Sequence, residues 1–103
     1  MVTARYALEN PIENKVASIA KAMGVPSLKL NLRGNRGWPD RLFLVPGGRP
    51  LFIEFKRPGD DVRPLQEHRR ETLQDLGYDT EIHDEIKPAV QAIKDAIRRA
   101  KDA

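Results

Sequence analysis

The 103-residue chain contains no cysteine, so neither a disulfide framework nor a thiolate zinc site can be part of it. Histidine is nearly absent too. His68 and His83 are the whole supply, too few for a histidine-rich metal centre. No apolar run approaches the ~18–20 residues of a membrane span, and the opening MVTARYALENP lacks the apolar core of a secretory signal. The expectation is an intracellular soluble protein of cytoplasm or nucleoid, with no membrane partner. There is no internal repeat, linker or low-complexity stretch, so residues 1–103 read as one domain. With 40% hydrophobic and 32% charged residues the chain is globular rather than disordered. A net charge of +3 is compatible with a nucleic-acid partner without being diagnostic of one.

Hydrophobic periodicity and punctuation give the elements. After a lead-in over residues 1–9, where Tyr6 and Leu8 can pack locally, a helix is expected from Pro11 to Met23. Asn10 suits the N-cap, Pro11 the first helical position and Gly24 the C-terminal stop. Ile12, Val16, Ile19 and Met23 form its apolar stripe. Asn10 and Glu13 together spell a capping box. Pro26–Arg33 alternates Leu28, Leu30 and Leu32 with Lys29, Asn31 and Arg33, the period of a strand. A second helix is expected from Pro64 to just before Gly77, with Leu65, Leu73 and Leu76 on its buried side and Gln66 facing the sheet. Tyr78–His83 reads as a short strand, and Pro88–Lys101 as a last helix with Val90, Ile93 and Ile97 inward. Lone His83 is read as structural.

The stretch that organises the rest is Trp38–Lys56, WPDRLFLVPGGRPLFIEFK. Two apolar strands, Arg41–Val45 and Leu51–Lys56, flank a Pro- and Gly-rich turn. Residues two apart in a strand share a face, so Glu54 and Lys56 emerge together while Ile53 and Phe55 point the other way. Glu54 interrupts an apolar run, where a charge is expensive unless paired or bound to a cation. The turn folds Asp40 back beside it. Two carboxylates and an ammonium at one sheet end can hold a magnesium ion and a water beside a phosphate.

Register decides whether they meet. A turn centred between Gly47 and Gly48 would set Asp40 opposite Phe55, facing away from Glu54. An odd-numbered turn centred on Gly48 would set it opposite Lys56, on the Glu54 face. A one-residue slip flips every side chain, so the odd-numbered turn, or an equivalent bulge or bend near Pro39, is expected.

From Arg36 through Gln66 the pattern RGxPDRLxLxPGGRxxFIEFKRPGDxxxPLQ resembles the VRR-NUC branch of the PD-(D/E)XK nucleases, in particular its small stand-alone, virus-type members. Pro39-Asp40 and Glu54-Phe55-Lys56 carry the resemblance. It implies an α/β fold with an αβββαβ restriction-endonuclease-like core, a mixed central sheet flanked by helices. It also implies a Mg²⁺-dependent DNA endonuclease in which Mn²⁺ can substitute. Asp40, Glu54 and the Phe55 carbonyl would hold the metal, Lys56 would orient or deprotonate the attacking water, and Gln66 would bind phosphate or orient Lys56. A glutamate on the first helix assists metal binding in related nucleases. Glu13 fits that place, with Glu9 as the other candidate.

Small members of the family imply a homodimer cutting branched DNA such as Holliday junctions, a DNA-repair activity. A flap, end or duplex nuclease and a non-catalytic DNA-binding module of the same fold are the alternatives. Lys29, Arg33, Arg36, Arg57 and Arg69 are the candidate DNA contacts. Trp38 is read as packing rather than base stacking, and Asp60 and Asp61 as a solvated turn.

Overall fold

The computed structural model describes residues 10–30 and 37–103. Helix α1 (Pro11–Ala22) is followed by strands β1 (Ser27–Lys29), β2 (Arg41–Phe43) and β3 (Leu51–Phe55), helix α2 (Pro64–Asp75), strand β4 (Asp79–His83) and helix α3 (Ile86–Asp102). The four strands form one sheet in the order β1-β2-β3-β4. The first three are antiparallel and β4 runs parallel to β3. A parallel neighbour needs a crossover, and α2 supplies it. This is the α/β, restriction-endonuclease-like arrangement, with a third helix after the core order.

One sheet face carries the core. Phe43, Leu51, Ile53 and Phe55 pack against Val16, Ala20 and Val25 from the α1 side and Ala89, Ala92, Ile93 and Ala96 from α3. Small side chains on both helices let them approach each other and the sheet closely. The buried line of α1 is Glu13, Val16 and Ala20, while Ile12 and Met23 lie partly covered at its margin. On α3, likewise, alanines fill the innermost positions beside Ile93, and Val90 and Ile97 flank them. Val16 and Ile93 of the expected stripes are central and fully buried, while Ile12, Met23, Val90 and Ile97 lie at the margins and alanines fill the closest approaches.

Helix α2 lies against β4, over the face on which Glu54 alternates with Ile53. It is much less buried than expected. Leu73 is 6% exposed, but Leu65 is 39% and Leu76 69% exposed. The sheet end under α2 is polar and needs little apolar cover. Leu28 on edge strand β1 is 52% exposed. Alternation there marks a strand but not a covered face, and Leu32, Asn31 and Arg33 of the expected strand lie outside the described residues, as do Tyr6 and Leu8.

The hairpin has the expected odd parity, with a different centre. Arg41 pairs with Ile53, Leu42 with Phe52 and Phe43 with Leu51, a register centred on Gly47 rather than Gly48. Gly48 N–H donates to Val45 O at 3.1 Å, and Gly47 has φ +69°. This is a turn that requires positive φ at its third residue, which glycine adopts without steric penalty. Extended by one residue, the register sets Asp40 opposite Glu54, not Lys56. β2 and β3 end earlier than expected, at Phe43 and Phe55, although Lys56 N–H still donates to His83 O at 2.9 Å.

Candidate metal and phosphodiester site

The site is built at the open end of the hairpin, where four elements deliver one or two polar groups each. Asp40 enters through a tightly packed approach. Gly37 has φ +81°, and a Cβ there would collide with the Leu65 side chain and lie 3.1 Å from the Leu65 carbonyl oxygen. Pro39 is buried, and Arg69 lies 4.7 Å over the Trp38 ring. These contacts seat the segment before β2 on α2. Asp40 Oδ2 then accepts from Phe55 N–H at 2.7 Å, across the hairpin.

Glu54 is 7% exposed. Its Oε2 accepts from Gln66 Nε2 at 2.6 Å and lies 3.6 Å from Lys56 Nζ. Lys56 Nζ in turn donates to Gln66 Oε1 at 2.5 Å. Gln66 Oε1 also accepts from Arg63 N–H at 3.0 Å. Gln66 thus occupies the third helical position of α2 and reaches back to the cap backbone, while its two ends join the acid of β3 to the amine of Lys56, one residue past the strand. Since Oε1 faces two donors and Nε2 faces a carboxylate oxygen, the amide can be oriented only one way.

Glu13 does not close the capping box the sequence suggests. Its Oε2 accepts from Arg41 Nε at 2.9 Å, and Arg41 Nη1 donates to Ser27 Oγ at 3.1 Å. The Glu13 side chain is 2% exposed and that of Arg41 15%. A local motif loses here to a buried ion pair, because a nearly inaccessible carboxylate is costly without a cationic partner. Arg41 is absent from the sequence-derived site. One signal was available: it alternates with core-facing Phe43, so its guanidinium had to enter the interior beside α1 and find a carboxylate.

Asn10 caps α1 as expected, its Oδ1 accepting from Ile12 N–H at 3.0 Å and Glu13 N–H at 3.2 Å. Its Nδ2 also donates to Phe55 O at 3.2 Å, a contact for which the sequence holds no sign.

The acids are electrostatically coupled. Burial, and then the neighbouring Asp40 carboxylate, push the Glu54 carboxyl up to about 7 against the opposing pull of Lys56. Burial and Asp40 likewise raise Glu13, with Lys29 and Arg41 acting the other way. Among the described residues no three Asp, Glu, His or Cys side chains form a ready ligand cage. Two carboxylates and a carbonyl are nevertheless hard oxygen donors of the kind Mg²⁺ takes. Burial raises Glu54 most, and a cation bound between the acids would offset both that burial and the smaller push from Asp40.

Of the candidate DNA contacts, Lys29 is exposed at the end of β1 and Arg57 is exposed in the turn after β3. Arg69 covers Trp38, so its guanidinium is partly engaged. Arg33 and Arg36 lie outside the described residues, as does Glu9. Asp60 Oδ2 accepts from Arg57 N–H at 3.3 Å and Asp60 N–H donates to Arg57 O at 3.0 Å, the turn expected of it. His83 Nε2 sits 2.7 Å from Glu81 Oε1. No helix among the described residues is long and apolar enough to cross a membrane.

No family model matches the chain. A phage protein, "Putative nuclease p44" of Acyrthosiphon pisum secondary endosymbiont phage 1, is 34% identical over 91 residues, which cover 84% of this chain and 98% of that protein. Among solved structures, one titled "VRR_NUC domain" superposes with a TM-score of 0.70 at 24% identity, covering 81% of this chain and 90% of its own. Another, "VRR_NUC domain protein", gives 0.54 at 28% identity, covering 80% and 63% respectively.

Proposed function

From the premise that the chain belongs to the VRR-NUC nuclease family, we propose that it hydrolyses DNA phosphodiesters with a divalent cation, magnesium in the first place, and that its substrate is branched DNA such as a four-way junction. The observation that carries the chemistry is the Glu54–Gln66–Lys56 triangle beside Asp40. A buried acid, raised by a second acid, is held against an amine by an amide that serves both.

Asp40, Glu54 and the Phe55 carbonyl would hold the ion. Bound there, it supplies charge neutralisation at the phosphate oxygens and at the leaving oxygen. Gln66 keeps Lys56 Nζ within 3.6 Å of Glu54 Oε2, so the amine can hold the attacking water or a phosphate oxygen next to the acid. Glu13 is engaged by Arg41, and its part is through water rather than direct contact. Lys29 and Arg57, exposed near the site, would contact phosphates, and the sequence proposes Arg33 and Arg36 for the same task. Phosphate neutralisation makes such binding salt-dependent.

The choice of branched DNA rests on the family resemblance. A homodimer places two such sites about a dyad, which suits paired nicking of a symmetric branch. The test is cleavage of labelled four-way junction, flap and linear duplex in Mg²⁺ and in Mn²⁺. Lys56→Ala is expected to retain junction binding and to cut at least ~100-fold more slowly, the scale of a lost water-orienting group. Cutting by Lys56→Ala at the wild-type rate would exclude the site. Equal loss of binding and cutting would favour a DNA-binding role for Lys56, and junction binding by the wild-type protein without any cutting would favour the DNA-binding-module reading.

A further inference from the structure

We infer that Asn10 is a positioning residue for the metal-binding carbonyl of Phe55, a role beyond its helix cap and one that rests on the nuclease reading above.

Its side chain has three polar engagements, and the cap explains only two. Oδ1 accepts from Ile12 N–H and Glu13 N–H. These two donors identify the oxygen, so the atom facing Phe55 O at 3.2 Å is the amide nitrogen. Serine, aspartate and asparagine cap helices about equally well. Capping therefore does not require an amide. Only asparagine among them pairs the capping oxygen with an NH₂ group at this reach.

The Phe55 peptide is held at both ends. Its N–H donates to Asp40 Oδ2 at 2.7 Å, and its carbonyl accepts from Asn10. A carbonyl oxygen has two lone pairs. Asn10 uses one and fixes the rotation of the peptide, which leaves the other available beside Asp40. Through its two ends Asn10 also ties the first turn of α1, and with it Glu13, to the strand that bears Glu54. Partners of this kind, one bond removed from a metal, typically change its affinity ten- to a hundredfold when removed.

The variants are Asn10→Ser, which keeps a capping oxygen, and Asn10→Gly, which weakens a cap by only a few tenths of a kcal/mol. Neither reaches Phe55 O. Mn²⁺ binding to the DNA-free protein is measured by titration calorimetry, and melting is followed without metal. Both variants are expected to melt within a few degrees of wild type and to bind Mn²⁺ about tenfold more weakly. Cleavage should fall at low Mg²⁺ and recover partly as Mg²⁺ is raised.

Wild-type Mn²⁺ affinity in both variants would overturn the inference and leave the nuclease reading standing. A drop in melting temperature of more than about 10 °C in both would also overturn it, making Asn10 a staple of the fold. No Mn²⁺ uptake by the wild-type protein would overturn the metal-dependent reading itself, and this inference with it.

Discussion

Glu54→Gln is expected to melt several degrees higher than wild type at pH 8 without metal, while losing metal-supported cleavage. The Glu54 carboxyl stands at about 7 in the folded protein, against 4.5 for the unperturbed group. Folding therefore favours its protonated form. The stability it contributes is intact below about pH 4.5 and is lost as the pH rises through 7. The full loss is roughly 3 kcal/mol, at 1.36 kcal/mol per pKa unit.

Glutamine stays neutral and its oxygen can still accept from Gln66 Nε2. It gives up the 3.6 Å partnership with Lys56, so a net gain of about 1–2 kcal/mol is expected, or several degrees for a chain of this size. The gap between variant and wild type should close as the pH is lowered from 8 to 5. Mg²⁺ should raise the melting temperature of wild type by mass action and leave that of the variant unmoved. Equal melting temperatures across the pH range would mean that the acid is not under electrostatic load. This pairing of a more stable protein with a dead site is what a functional carboxylate held against its preference predicts.

Arg41→Ala should act in the opposite direction. Arg41 and Glu13 form an ion pair with side chains 15% and 2% exposed. Removing the guanidinium leaves a buried carboxylate facing Asp40, whose charge already pushes Glu13 upward. Breaking a buried pair from one side typically costs about 3–5 kcal/mol. Glu13 can limit that by taking up a proton, so a loss of about 2–3 kcal/mol at neutral pH is expected. At roughly 4–8 °C per kcal/mol, the melting temperature falls by about 10–20 °C. The loss should shrink towards pH 4, where the acid is neutral in both folded and unfolded chains. The double variant Glu13→Leu/Arg41→Met should regain most of the stability, because the cost lies in the orphaned charge rather than in the missing contact. If the single and double variants are equally unstable, the pair is not the reason that Arg41 matters.

The outline of the fold could be read from periodicity and punctuation, and particular residues show where that reading stops. Asn10 and Gly24 bracketed α1 correctly because capping is local chemistry. Asp40 and Glu54 could be placed on one sheet face because strand alternation admits only two answers. The turn centre was ambiguous because Gly47 and Gly48 both permit positive φ. The two glycines answer different needs: Gly47 takes φ +69° in the turn with open space around it, whereas a Cβ on Gly48 would lie 2.8 Å from that of Ala100 on α3.

The capping box at Glu13 was a correct local motif overruled by a partner 28 positions along the chain. Apolarity suggests Leu65 and Leu76 as inward residues of α2, but the helix covers a polar sheet end, leaving Leu76 largely in solvent and Leu65 half-exposed against Gly37. The contact from Asn10 to Phe55 O spans 45 positions and has no sequence pattern at all. At Glu13 and at Asn10 what the sequence hid is a pairing of distant residues.

The hairpin register has a use beyond catalysis. The loop carrying Pro46 and Gly47 is exposed and lies at the end of the hairpin opposite Asp40 and Glu54. Opening the chain between those two residues would leave one carboxylate on each fragment, the first with α1, β1 and β2 and the second with β3, α2, β4 and α3. Neither piece alone would hold both acids, so strand scission would report the reunion of two polypeptides, and whatever is fused to them could be made to govern it.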